Sequence, residues 1–207
     1  MGDLEMMNCG LQPNLRAEIK PNTSAAGFEL GMAFNTFIEK VDFIEITQQE
    51  TYTITYNSNK WRIHYQNYFS DVMKDVYFNN IYAYWDDSVT LKFSKTDVHY
   101  YLTAIFVGGT YTGKFLGLIG IGDRLDSVSE EYDILFHSDL HFLAKKKEVS
   151  CDADDCGLYM NHSWDEREII EGIEFATNYR EQYSLDATDQ IVEKIGVFRI
   201  NTINGVD

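Results

Sequence analysis

The sequence predicts an α+β protein in which an antiparallel β-sheet carries short helices on one face. Two observations indicate this class. Strand-like runs with alternating apolar side chains are separated by turns rich in Asn, Ser and Asp. Short segments with helical spacing of apolar residues precede the strands in each half of the chain. Both prolines lie before residue 22, so the rest of the chain is free to form regular structure.

The first half begins with a helix and continues as a series of strands. Within residues 27–41, Phe34, Phe37, Ile38 and Val41 follow helical spacing, which predicts a short amphipathic helix. Alternation of apolar and polar residues then predicts strands over 51–57, 60–66, 76–86, 88–94 and 100–109.

The second half repeats this plan. Residues 117–132 place closely spaced glycines before Leu125 and Val128 on a short helix, as residues 27–41 do. Residues 132–146 match 52–66 as a strand, a turn and a strand. Further strands are expected over 172–178 and 189–200, and the last of these is expected to play the part of 76–86.

A helix followed by three or four antiparallel strands cannot cover both faces of its sheet alone. Two tandem helix-plus-sheet repeats, side by side, are therefore expected. The expected organisation is a loosely ordered N-terminal lead-in over 1–26, a first repeat over 27–110, and a second repeat over 111–207 with an acidic insertion at 150–190.

This layout resembles the tandem repeats of the β-lactamase-inhibitor-protein type. The TYTGKF turn at 110–115 and the stretch IGDRL at 121–125 are also similar to small acidic bacterial proteins that act as immunity partners of secreted toxins. The terminal pattern of that similarity is formed by Asp189, Ile191, Ile195, Val197 and Phe198. The resemblance implies a partner protein bound on an exposed concave sheet through aromatic and acidic groups.

The charge of the chain favours a basic partner. The formal net charge is −16, with 17 Lys and Arg against 33 Asp and Glu. Between Cys151 and Glu193 the sequence has twelve acidic residues and only two basic ones, Arg167 and Arg180. Such a chain is repelled by nucleic-acid phosphates and anionic lipid, so neither nucleic acid nor membrane is expected as a partner. Simple solubility is the alternative interpretation of the same charge.

The lack of a recognisable targeting signal and the small number of cysteines predict a cytoplasmic protein. Without its partner, the protein is expected to be a monomer or a small oligomer. No apolar run is long enough to span a bilayer, and the N-terminus lacks the features of a secretory signal. Cys9, Cys151 and Cys156 form no evident disulfide framework, which suits a reducing compartment.

One motif invites a nucleotide-binding interpretation that its neighbours do not support. Gly108, Gly113 and Lys114 have the spacing of a phosphate-binding loop, but Phe115 stands where a Ser or Thr would hold Mg²⁺. The following residues are poor helix formers. A connection between strands, with Gly108 and Gly109 at positive φ, is the preferred interpretation.

Metal and catalytic motifs are incomplete. In the loop 151–157, Asp152, Asp154 and Gly157 match a calcium loop, but Cys156 and Ser163 occupy ligand positions. The same loop with His162 offers three zinc ligands where four are expected. We therefore expect no cofactor and no metal, and a solvated acidic loop.

His137 and His141 are four residues apart on a predicted strand–turn–strand, so they need not share a face, and no catalytic signature surrounds them. The acidic run at 164–175 lacks the two separated carboxylates that glycosidases use. No catalytic residue is predicted, and the chain is not expected to be an enzyme.

Acidic and aromatic side chains are the predicted partner-binding residues. Alternation places Tyr82 and Tyr84 on one side of their strand and Trp85 on the other, and exposed Tyr and Trp are typical of binding hot spots. The candidate set is Asp152, Asp154, Asp155, Asp165, Glu166, Glu168, Glu171, Tyr82, Tyr84 and Trp85.

The sequence thus favours a protein-binding inhibitor, namely an immunity protein that covers the basic active-site cleft of a bacterial toxin effector. Two alternatives stay open at this point. One is a small-ligand-binding β-barrel or cup, which would use the same aromatic residues. The other is a hydrolase that depends on the histidines or carboxylates.

Overall fold

The computed structural model describes residues 11–41, 43–50, 53–58, 61–69, 77–96, 98–146, 168–178 and 190–199. Fourteen strands, one α-helix and one 3-10 helix are assigned in these residues. The first half contains β1 (Ser24–Ala25), β2 (Phe28–Glu29), α1 (Phe34–Ile38), β3 (Phe43–Glu50), β4 (Thr53–Ser58), β5 (Trp61–Phe69), β6 (Tyr77–Trp85), β7 (Val89–Thr96) and β8 (His99–Gly108). The second contains β9 (Lys114–Phe115), β10 (Ile119–Gly120), the 3-10 helix (Leu125–Val128), β11 (Tyr132–His137), β12 (Leu140–Lys145), β13 (Ile173–Thr177) and β14 (Val192–Phe198).

Ten of the strands form one antiparallel sheet. Its order is β11-β12-β13-β14-β8-β7-β6-β5-β4-β3. Strands β3 to β8 form one meander and β11 to β14 form another, and the last strands of the two, β8 and β14, pair at the centre of the sheet. Among the described strands, β3 and β11 are the outermost in this order.

One face of the sheet is covered by the short elements. Phe37 of α1 is fully buried, and its ring lies 5.1 Å from that of Trp61 and 5.4 Å from that of Phe93. Leu125 and Val128 of the 3-10 helix belong to the same hydrophobic core. Burial of this apolar surface is the main stabilising contribution to the fold.

The α+β prediction is only partly confirmed, because the described residues form mostly antiparallel sheet with almost no helix. The two predicted helices exist, but α1 has five residues and the 3-10 helix has four. Neither has a side-chain hydrogen bond at its N-cap, a contact that normally stabilises a helix start. After α1, β-favouring residues such as Phe43, Ile44 and Ile46 follow at once.

The entry into each helix has the same geometry. Gly31, with φ of 90°, donates from its N–H to the Leu102 carbonyl of β8 at 2.8 Å. Gly122, with φ of 83°, donates to the Val192 carbonyl of β14, also at 2.8 Å. In both cases the strand residue donates back to the carbonyl of the residue after the glycine at 2.9 Å. Each helix is thus attached to the last strand of its own meander.

Residues 11–26 differ from the predicted loose lead-in. Ile19 and Ala26 are 1% and 0% exposed, and the indole N–H of Trp61 donates to the Leu11 carbonyl at 2.7 Å. The Ile19 N–H donates to the Lys114 carbonyl beside β9. Apolar residues spaced through this polar segment, including Leu15, pack against the core and hold it in place.

The pairing of strands also differs from the predicted match between halves. Counted from the centre of the sheet, β14 corresponds to β8, and not to β6 as the predicted match of 189–200 with 76–86 requires. By the same count, β11 and β12 correspond to β5 and β6 instead of β4 and β5. Alternation of side chains identifies strands but does not specify their neighbours.

Candidate functional site

The sheet face opposite the core carries most of the unusual side chains. Along β7, Val89, Leu91 and Phe93 are buried in the core, whereas Thr90 and Lys92 between them are partly exposed. The same alternation in β5, β6, β8, β13 and β14 defines a second surface, which we call the open face.

Two rows of residues cross the open face. Residues that pair directly on neighbouring strands have adjacent side chains. The first row is Tyr82, Lys92, Ala104 and Phe198, on β6, β7, β8 and β14. The second row is Arg62, Tyr84, Thr90, Phe106, Gly196 and Glu174, from β5 to β13.

Tyr82 and Tyr84 form the aromatic part of the open face, on one side of β6 as the sequence predicts. Their rings stack with centroids 6.1 Å apart and an angle of 18° between planes. The Arg62 guanidinium lies 4.9 Å from the Tyr84 ring centroid, within cation–π range. Burial raises the pKa of Tyr84, and the Arg62 charge partly opposes this. Both rings are partly exposed and held in place by neighbours.

Trp85 does not join this surface. It packs against the hydrophobic core, where its ring makes an edge contact of 5.2 Å with Trp61. Its position one residue after Tyr84 places it on the other side of the strand. Of the three predicted aromatic binding residues, the structure therefore brings two together and separates the third.

Glu174 is the open-face residue that the sequence analysis did not select. It lies in β13 between Ile173 and Phe175, both 0% exposed. Burial raises the pKa of its carboxyl group, and the Lys92 charge acts in the opposite direction. In the sequence Glu174 is one of several acids in a dense run. The signal that could have identified it is the apolar–acidic–apolar order of Ile173, Glu174 and Phe175, which is typical of a strand.

The predicted acidic residues divide into two groups. Glu168 and Glu171 are exposed, and Glu168 forms an ion pair with Lys145 of β12. The segment that contains them is extended: the Lys145 N–H donates to the Glu168 carbonyl at 2.9 Å. Residues 168–170 therefore run alongside β12 before β13 begins. Five predicted residues lie outside the described residues, namely Asp152, Asp154, Asp155, Asp165 and Glu166.

An apolar recess of about 310 Å³ lies near the end of the open face. Phe142, Ile169, Ile170 and Phe198 contribute to its lining, with His137 and Glu171 as its titratable neighbours. Phe198 belongs both to this recess and to the first row, so the recess continues the open face.

His137 and His141 differ in their surroundings. His137 is exposed, whereas His141 is fully buried with its ring 5.0 Å from that of Phe136. Within the described ranges, no group of three or more His, Cys, Asp or Glu side chains could hold a metal ion. The loop 151–157 and His162 lie outside those ranges.

The resemblance to a phosphate-binding loop has a structural explanation. Lys114 forms an ion pair of 2.9 Å with Asp123, whose carboxylate also accepts the Gly120 N–H at 2.7 Å. The turn leads into β9 instead of a helix. Of the two glycines predicted at positive φ, only Gly109 has it, with φ of 48°. The lysine and the IGD stretch therefore stabilise the β9–β10 hairpin.

Comparison with protein-family models, curated proteins and solved structures finds no match to this chain. Among the described residues, no helix is long and apolar enough to cross a membrane.

Proposed function

We propose that this chain is a binding protein that inhibits a basic partner protein, and that it does so through the open face of its sheet. The observation that carries this proposal is the composition of the two rows on the open face. They contain the stacked rings of Tyr82 and Tyr84, the phenylalanines Phe106 and Phe198, and isolated charged side chains. Aromatic side chains on a rigid sheet provide contact area at a small cost in conformational entropy.

The finer form of the proposal is an immunity protein that occludes the basic active-site cleft of a bacterial toxin effector. Its support is the net charge of −16, the aromatic open face, and the resemblance to toxin-immunity proteins stated above. Occlusion requires no chemistry from this chain, and the absence of enzymatic activity stays a prediction.

We further propose that the protein arose as two tandem helix-plus-sheet units. The support is the matched entry of each helix, in which Gly31 and Gly122 bond to the last strand of their own meanders. The two units would then place their sheets edge to edge through β8 and β14, which extends the open face across both.

A pull-down with open-face variants tests the proposed function. Tagged wild-type protein and the double variant Tyr82→Ala/Tyr84→Ala are used to capture partners from the native host's lysate, and captured proteins are identified by mass spectrometry. Leu116→Ala is the matched control, because Leu116 is 51% exposed on the β9–β10 hairpin, away from the open face. All three proteins are first compared by thermal unfolding, to confirm that they are folded.

We expect one stoichiometric basic protein that the control variant retains and the double tyrosine variant loses. The captured protein is then expressed in a bacterial host with and without this chain, and growth is measured. Growth arrest that this chain relieves supports the immunity form of the proposal. Capture that is equal for all three proteins, or no partner at all, contradicts binding through the open face.

A further inference from the structure

The centre of the open face contains a carboxylate that lies across a neighbouring strand. Glu174 of β13 pairs with Gly196 of β14. A Cβ atom added at Gly196 would come within 2.7 Å of Glu174 Oε1 and 2.8 Å of its Cγ. The Glu174 side chain therefore occupies the space that a larger residue at 196 would fill, and its carboxylate lies over β14 while staying partly exposed.

Aromatic rings flank this carboxylate. Phe106 of β8 pairs directly with Gly196 from the other side, and Phe198 lies two residues farther along β14 on the same face. Both phenylalanines are partly exposed. Together with Glu174 and Gly196 they form what we call the slot, in which the Glu174 side chain lies over the Gly196 backbone and the two phenylalanines are its neighbours.

The acidic group of the slot keeps unused hydrogen-bonding capacity. Among the described residues, the Glu174 carboxylate takes part in neither a hydrogen bond nor an ion pair, and Lys92 of β7 acts on it only through its charge. A carboxylate has two oxygens that can accept a planar pair of N–H groups. The carboxylate thus keeps acceptor positions for a donor that approaches the open face.

The chemistry of the slot matches one side chain better than others. A guanidinium stacks on aromatic rings and donates two parallel hydrogen bonds to a carboxylate, whereas an ammonium does neither as well. The net charge of −16 favours a cationic group over an anionic one. We propose that the slot formed by Glu174, Gly196, Phe106 and Phe198 receives an arginine side chain of the partner protein, an inference that rests on the proposed function.

A stability measurement tests the environment of Glu174 without any partner. Burial raises the pKa of Glu174 above its ordinary value of 4.5, so the charged carboxylate costs stability. A raised pKa in the folded state means that this contribution is favourable at low pH and is lost as the pH rises through the folded-state pKa. The other titratable and charged groups on this face, among the described residues, include Arg62, His64, Tyr82, Tyr84, Lys92, Lys194, Asp133 and His137.

We therefore expect Glu174→Gln to unfold at a higher temperature than the wild type at pH 8, with the difference narrowing toward about pH 5. If Glu174 only stabilised the fold, Glu174→Gln would unfold at a lower temperature than the wild type at pH 8. Glu131→Gln is the matched control, because Glu131 is exposed beyond the 3-10 helix, and it should unfold like the wild type at both pH values. A lower unfolding temperature for Glu174→Gln at pH 8 contradicts the inference.

Binding is tested with N-acetyl-arginine methylamide, titrated into the full isotope-labelled chain and followed by NMR. We expect saturable shifts of the Phe106, Gly196 and Phe198 amides and of the Glu174 carboxyl carbon. The citrulline analogue, which has the same shape without the charge, should give none, and the lysine analogue should bind several-fold more weakly. Glu174→Gln should lose the arginine-induced shifts while Glu131→Gln retains them.

The two proposals fail separately. If the tyrosine variants lose the captured partner but Glu174→Gln binds it as tightly as wild type, and arginine shifts nothing at Glu174, the slot is refuted and the binding face stands. If the slot binds arginine but no partner is captured, the proposed function is refuted. With both correct, Glu174→Gln weakens partner binding about tenfold or more.

Discussion

The hydroxyl group of Tyr111 connects two segments that are far apart in the chain. It donates to the Ala17 carbonyl at 2.5 Å and accepts the Ala26 N–H at 3.3 Å. Tyr111 is 2% exposed, so the polar groups it satisfies have little access to water. Burial raises the pKa of its phenol, and the hydrogen bond from Ala26 partly opposes the shift.

Replacing Tyr111 with Phe should lower the free energy of unfolding by about 1–3 kcal/mol, because the buried Ala26 N–H and the partly buried Ala17 carbonyl lose their partner. The measurement is urea unfolding at pH 7. Tyr101→Phe is the control; Tyr101 is partly exposed on β8, and its change should be within about 0.5 kcal/mol. Equal losses for the two variants would contradict the role assigned to the Tyr111 hydroxyl.

The difference in free energy of unfolding between the wild type and Tyr111→Phe should depend on pH. Since the folded-state pKa of Tyr111 lies above the unfolded value of 10.0, its contribution is present below pH 10 and is lost as the pH rises through the folded-state pKa. Tyr111→Phe carries no proton there, so its stability difference from the wild type should shrink above about pH 10.

At the same scale, sequence reasoning placed Tyr82 and Tyr84 correctly on one side of their strand, because alternation is a local property. It could not select Glu174. The features that distinguish this carboxylate are Gly196 on the next strand and Lys92 on β7, and their proximity depends on strand pairing that local sequence does not specify.

The β9–β10 hairpin shows how a short element depends on two different kinds of glycine. A Cβ atom at Gly113 would lie 1.9 Å from the Ala17 carbonyl oxygen. At Gly117, with φ of 71°, a Cβ atom would meet nothing within 4 Å. One glycine is needed for close contact with residues 15–19 and the other for backbone conformation.

Alanine at these two positions should therefore have different costs. Gly117→Ala is expected to lose about 1–2 kcal/mol, the cost of a left-handed conformation for an L-residue, and Gly117→Asn should lose less. Gly113→Ala is expected to lose about 3 kcal/mol or more, because the N-terminal segment must move away from β9. Denaturant unfolding of the three variants gives the comparison, and equal losses at positions 113 and 117 would contradict this assignment.

Most long strands were predictable, and the shortest were not. Strands β5 to β8 and β11 to β14 each begin and end near the predicted positions, since alternation extends over several residues in each. The two-residue strands β1, β2, β9 and β10 are too short to show a period. Strand β3 ends in Gln48, Gln49 and Glu50, and this polar run interrupts the alternation that would have identified it.

For the molecule as a whole, the charge of −16 should govern how fast the proposed partner binds. Raising NaCl from about 0.1 M to about 1 M shortens the Debye length from about 10 Å to about 3 Å. The association rate constant should then fall about tenfold or more, while the dissociation rate constant changes little. Stopped-flow or surface-based kinetics with the captured partner provides the measurement.

Charge reversal at Glu168 and Glu171, which are both exposed, should reduce this salt dependence without unfolding the protein. Reversal of Glu18, an exposed acid in the N-terminal segment, is the comparison variant. An association rate that ignores salt would show that apolar contacts alone determine recognition.

The order of strands could not be predicted at this scale. The strand pattern is compatible with several arrangements, and the observed one joins two meanders through their last strands, β8 and β14. Contacts between residues near 105 and residues near 197 decide that arrangement, and no local signal encodes so distant a pairing.

The central position of β14 has a consequence for synthesis of the protein on the ribosome. Until the chain has been made through Phe198, β8 has β7 on one side and an unpaired edge on the other. An exposed strand edge is a template for aggregation. This edge of the first meander therefore stays unpaired until β14 has been translated, and slow translation or truncation before Val192 should favour aggregates over folded protein.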